Sequence, residues 1–132
     1  MLDRLDRTLA PHLRALDLRA HRSEVLAGNL ANADTPNYKA RDFDFKAAFS
    51  GARRDADLRL AQTSGRHLDG ASGPAGMPEL QYRHPVQPSI DGNTVEMDAE
   101  VGRFSDNAMR YQASMTFASH TIRELRAAIQ GQ

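Results

Sequence analysis

From residue 97 onward the chain carries apolar side chains at alternating spacings of four and three: Met97, Val101, Phe104, Ala108, Tyr111, Met115, Ala118, Ile122, Leu125 and Ile129. That alternation keeps one stripe of a helix facing a partner helix, because supercoiled helices share a repeat of about 3.5 residues. Held over more than four heptads, it predicts a long C-terminal helix over 94–132 whose seam needs a second helix. Thr94 or Asp98 is placed to cap its start, and Gly131 lies just beyond its end. Val101, Phe104, Ala108, Tyr111, Met115, Ile122, Leu125 and Ile129 are the candidate assembly seam.

A second amphipathic stretch opens the chain. Leu2, Leu5, Leu9, Leu13, Leu16, Ala20, Ala27 and Leu30 fall close to a helical period, with Leu18, Val25 and Leu26 widening the stripe toward its end. Pro11 interrupts this pattern by removing a backbone donor, so the firm helix is expected to begin near Pro11, with 1–10 kinked or loosely attached. Pro36 pushes Thr35 out of the α region and ends the helix by about Asp34, while Asn37 suits a left-handed turn. The fold class that follows is mainly α: long N- and C-terminal helices paired as a coiled-coil-like hairpin, with a small irregular middle containing short strands. The expected divisions of this one structural unit are 1–34, 35–93 and 94–132. A plain hairpin is expected to leave Leu18, Val25 and Leu26 incompletely covered, a deficit for neighbouring subunits to fill.

Within the middle, 42–49 (DFDFKAAF) reads as a short helix with Phe45 and Phe49 one turn apart. Leu58, Arg59 and Leu60 alternate like a strand, 70–78 (GASGPAGMP) is a flexible loop by composition, 82–88 is extended by its prolines, and 91–93 is a turn.

Composition narrows the function. In 132 residues, 17 basic and 17 acidic side chains cancel, and arginines alternate with carboxylates along 1–31, so no basic patch for nucleic acid stands out. With 6% aromatics and no Trp, a compact core is thin for this length. The absence of cysteine excludes a disulfide framework, a thiolate nucleophile and a cysteine zinc site. No apolar run approaches the ~20 residues of a membrane span, and Asp3, Arg4, Asp6 and Arg7 stand where a secretory signal needs an apolar core. Ordinary signals therefore point to the cytoplasm, unless a dedicated channel exports the chain uncleaved. His12 and His21 point to opposite sides of a helix, no strained nucleophile turn occurs near Ser23 or elsewhere, and Asp91, Glu96, Asp98 and Glu100 do not fit a calcium loop. Those acids suit a helix N-terminus. The expectation is no catalysis, metal or cofactor; an enzyme would need a tight pocket around His84 and Glu100.

The segment NLANADTPNYKARDFDF at 29–45 resembles the signature of the flagellar rod, hook and hook-associated proteins, in which an N-terminal helix ends in Asn-x-x-Asn-x-x-Thr-Pro-x-Tyr. Within 18–45, LAQTSGRHL at 60–68, YRHPVQPSIDGNTVEMDAE at 82–100 and NAMRYQASM at 107–115, the similarity is to the proximal rod proteins of the flagellar basal body. Asn37 departs from the Gly that many relatives carry.

The resemblance implies a structural protein whose paired terminal helices line a hollow rod, with the middle outside. It implies self-association, partners among other rod and basal-body proteins, export without a cleaved signal through the flagellar type III apparatus, and residence on the periplasmic side of the basal body. It also makes Asn29, Asn32, Thr35, Pro36 and Tyr38 an elbow where the inner helix leaves the tube lining and packs on neighbours. The competing reading is a soluble helical adaptor with both stripes buried and no longitudinal self-association.

Overall fold

The computed structural model describes residues 2–55 and 77–131. Its elements are α1 (Leu2–Ala31), β1 (Arg41–Asp42), α2 (Phe45–Asp55), β2 (Gln81–Tyr82) and α3 (Met97–Gln130). The strand-like 58–60 and most of the loop-like 70–78 lie outside the described residues. The long helices run antiparallel and form the largest contact in the fold, with α2 and β1 laid on α1. The register follows from three hydrogen bonds: Arg19 to Ser114 at 3.2 Å, Asn107 to Ser23 at 2.8 Å, and Asn29 to Glu100 at 3.1 Å. The two strands pair antiparallel, Arg41 opposite Tyr82 and Asp42 opposite Gln81.

Several expectations change. Helix α1 runs unbroken through Pro11 from Leu2. Pro11 and Arg7 are both exposed, so the missing helical bond falls in a turn open to water and costs less than it would in a buried one. Helix α3 starts at Met97 with Glu96 as an N-cap that makes no side-chain cap bond. Neither Thr94 nor Asp98 caps it: Asp98 lies inside the first turn, and the Thr94 hydroxyl instead accepts the Ala40 N–H at 2.8 Å. Gly131 closes the helix as expected, with φ 71° and its N–H on the Ala127 carbonyl.

The stripes are rotated from their expected positions. Leu18 and Leu26 are fully buried, because the chain from Ala40 through α2 folds back on α1 and a plain two-helix hairpin is not what forms. Ala40 and Phe43 join them in the core. Leu13, Ala20 and Ala27 of the expected stripe face outward.

On α3, Ala118 is buried and Phe104, Tyr111 and Leu125 half-buried, as a seam requires. The other half of the seam is not packed: Val101, Ala108, Met115, Ile122 and Ile129 are exposed. In their place Glu100, Asn107, Ser114 and Thr121, each one residue earlier, face inward. Three of these four hold hydrogen bonds to α1, and that bonding turns the helix to its polar side.

Candidate assembly surface and elbow

Asn29 ties the end of α1 to β1. Fully buried, it accepts the Arg41 N–H at 3.1 Å and donates Nδ2 to the Arg41 carbonyl at 2.8 Å, so one amide mimics a strand neighbour for β1. Its Nδ2 also reaches Glu100. Asn32 donates to the Gly28 carbonyl at 2.8 Å and accepts the Thr35 hydroxyl at 3.2 Å, closing the last turn of α1.

Tyr38 N–H returns to the Thr35 carbonyl at 3.3 Å, and Asn37 has φ 61°. Pro at the second and a positive φ at the third position are what a type II turn requires. Glycine in place of Asn37 would fit the backbone equally, yet here the Asn37 amide lies against Gly92, where an added Cβ would come within 2.7 Å of Oδ1. Thr35, Pro36 and Asn37 are exposed and Tyr38 half-buried, so the elbow's outer surface is open.

Residues absent from the expected elbow hold it in place. Asn93 donates Nδ2 to the carbonyls of Asn32, Ala33 and Thr35 at 3.1, 2.7 and 2.9 Å, supplying donors to the chain leaving α1. Below it, Glu100, with 1% of its surface exposed, takes hydrogen bonds from Arg83, Arg103 and Asn29. Arg83 also reaches Asp42, which Arg22 grips through two parallel bonds of 3.0 and 2.8 Å. Arg83 therefore touches both carboxylates. Burial alone would raise the Asp42 pKa; the bonds from Arg22 and the Phe43 N–H, and the charges of Arg22 and Arg83, outweigh it and hold the carboxyl below its usual range. The Asp42 hydrogen bond in turn raises Arg22.

One sequence signal for this network existed. Glu100, Asn107, Ser114 and Thr121 are themselves spaced by seven, a polar heptad line adjoining the apolar one. Asp42, Arg83 and Asn93 carried no periodic signal, because their roles depend on contacts up to 61 residues away.

An apolar groove lies toward the other end of the hairpin. It runs between the two helices, has a volume of about 300 Å³ and is lined by Leu9, Ile122, Leu125, Arg126, Ile129 and Gln130. On α1 Leu13 follows Leu9 one turn on, and on α3 Met115 stands seven residues before Ile122, so these two continue the banks by helical spacing. Exposure along α3 is 46% at Met115, 51% at Ile122 and 70% at Ile129.

A second groove of about 300 Å³ lies beside His84, lined by Lys39, Tyr82, Arg83, His84, Pro85 and Thr94. Glu100 is not part of it, so His84 and Glu100 do not form a shared pocket. Among the described residues no group of three or more His, Asp or Glu is placed to hold a metal ion, and no helix is long and apolar enough to cross a membrane.

Residues 10–39 match a family model described as flagella basal body rod protein. Over almost the whole chain there is similarity to proteins named flagellar basal body rod protein FlgB. That of Salmonella typhimurium is 43% identical over 136 residues, covering 99% of each chain. That of Escherichia coli K12 is 46% identical over 135 residues, covering 98% of each. That of Cereibacter sphaeroides ATCC 17029 is 47% identical over 124 residues, covering 94% of each. Identity at this level over nearly full length on both sides, on a hairpin of two long helices, places the chain in the FlgB family of flagellar basal body rod proteins.

Proposed function

We propose that this chain, a structural component of the proximal rod of the flagellar basal body, enters the rod by packing its open helical face against neighbouring subunits. The observation that carries the reading is the apolar half of the α3 heptad, from Val101 to Ile129, left exposed on a hairpin whose other seam is already occupied. Exposed apolar residues at strict seven-residue spacing are what a partner helix requires, and they argue against an adaptor that buries both stripes in one chain.

Two further parts of the proposal rest on family membership. The chain reaches the periplasmic side through the flagellar type III apparatus without a cleaved signal, and it works without a catalytic step. The exposed elbow surface at Thr35, Pro36 and Asn37 meets the adjoining subunits, while Asn29, Asn32 and Tyr38 hold its shape from within.

Electron microscopy of basal bodies purified from cells with and without the chain tests the reading. Rods are expected only when the chain is present, and basal bodies with intact rods in its absence would overturn it.

A further inference from the structure

Helix α3 carries two heptad seams that share one line. Phe104, Tyr111, Ala118 and Leu125 are the shared residues, all buried or half-buried. Glu100, Asn107, Ser114 and Thr121, each four residues before a member of that line, complete the seam that faces α1. Val101, Ala108, Met115 and Ile122, each three residues before, would complete a wholly apolar one, and they are exposed. Because both seams keep the shared line, passing from one to the other turns α3 by only about 50°, half the ~100° step between neighbouring residues.

Apolar burial by itself favours the seam that is not used. Met115 and Ile122 are 46% and 51% exposed, whereas Asn107 is 1% exposed and its carbonyl oxygen is buried without a partner. An orphaned buried acceptor is a cost, so Asn107 is not explained by stability. Its amide nitrogen supplies another reason. Nδ2 donates to the Arg19 carbonyl at 2.9 Å and to the Ser23 hydroxyl at 2.8 Å, both on α1. Arg19 also donates Nε to the Ser114 hydroxyl at 3.2 Å, and its guanidinium sits 4.2 Å from the centre of the Phe45 ring, so α2 steadies it. Glu100 is tied to α1 less directly. Of its partners, Arg103 belongs to α3 itself, Arg83 follows β2, and Asn29 lies on α1. The Thr121 hydroxyl donates to the Phe117 carbonyl of its own helix.

We infer that Asn107, with Ser114 beside it, is a positioning residue that sets the rotation of α3: its bonds to α1 hold the polar seam inward and keep Met115 and Ile122 out of the hairpin. One buried amide fixes register between paired helices at a cost in stability. Here it selects between two rotations of the same helix. The inference concerns the free chain and stands apart from whether the outward face joins subunits.

Because the chain has no cysteine, single thiols report the rotation without background. Ile122→Cys marks the outward side and Thr121→Cys the inward one. With the rest of the chain unmodified, at a concentration where it is monomeric, a maleimide should react faster with Ile122→Cys. Adding Asn107→Ala and Ser114→Ala should reverse that order: Ile122→Cys slows by about tenfold, since its thiol is then reached only when the hairpin opens, and Thr121→Cys speeds up. Ser114→Thr, which keeps the hydroxyl, should leave both rates as they are. Loosened packing without rotation would speed both thiols, and unchanged rates would mean that another contact sets the rotation; either result overturns the inference. Circular dichroism checks that the double variant keeps its helix content. If it does not, Asn107→Ala alone is read with the same two thiols, and the same outcomes decide.

Discussion

The two ends of the hairpin solve the same problem in opposite ways. At the elbow end, Asn29, Asn93, Glu100 and Asn107 are each at most 5% exposed, and their side-chain polar atoms are hydrogen-bonded within the chain with one exception, the Asn107 carbonyl oxygen. At the other end, Leu13, Met115, Ile122 and Ile129 stand 46–70% exposed around an apolar groove. Directional groups are satisfied within the chain, and non-directional apolar surface is left exposed. On the proposed reading, the bonded end sets the shape of the subunit and the apolar end supplies its adhesion.

Glu100→Ala breaks the closed end hardest. It strips Arg83, Arg103 and Asn29 of a shared acceptor in a site from which water is excluded. Removing one member of a buried charge network costs about 3 kcal/mol or more. Urea unfolding of the monomer should show that loss as a lower midpoint at unchanged slope. A loss below about 0.5 kcal/mol, the range of ordinary surface changes, would mean the network does not hold the elbow.

Asn93→Ala is expected to cost about 2 kcal/mol, since the carbonyls of Asn32, Ala33 and Thr35 lose their common donor in a part-buried site. The same measurement checks it, with Asn93→Asp as a companion that keeps the size and loses the donors. This residue also marks the limit of what the sequence makes legible. The long helices, the stop at Pro36, the left-handed Asn37 and the Phe45 and Phe49 pair, whose rings stack at 6.0 Å, follow from local propensity and period. The rotation of α3 does not. Hydropathy alone favours the Val101, Met115 and Ile122 side, and the polar bonds of Asn107 and Ser114 to α1 bring the other side inward. Of the one apolar stripe that the period marks, Phe104, Tyr111, Ala118 and Leu125 pack within the hairpin and Val101, Ala108, Met115, Ile122 and Ile129 stay exposed. Asn93 and Arg83 stayed invisible because a turn Asn and a loop Arg have no signature until the chain they grip is folded beside them.

Acid sharpens the contrast further. The Asp42 carboxyl is held below its ordinary pKa of 3.8 in the folded chain, so its contribution is fully present above that value and fades as pH falls through and below it. Asp42→Asn should flatten that part of the stability profile. Acid unfolding followed by circular dichroism is expected to show a smaller loss of stability below about pH 4 for the variant. Equal slopes for the two chains would show that Asp42 is not the group responsible.

The smallest effect on folding should accompany a complete effect on assembly. Met115 is nearly half exposed and belongs to the open bank, so in the monomer an aspartate there remains hydrated, and Met115→Asp should change unfolding free energy by no more than about 0.5 kcal/mol. In a packed helical interface the same carboxylate has to be desolvated without a partner or the contact has to open, a penalty of several kcal/mol by the usual cost of burying an unpaired charge. Arg110→Lys is the control: Arg110 is exposed and pairs with Asp106 on its own helix, a contact worth a few tenths of a kcal/mol. Cells making only the Met115→Asp chain should accumulate it at normal levels, lack rods and fail to swim, while the Arg110→Lys strain swims. If the Met115→Asp strain swims as well, the apolar half of the α3 heptad is not what joins subunits, and the exposed elbow at Pro36 becomes the surface that has to carry the assembly.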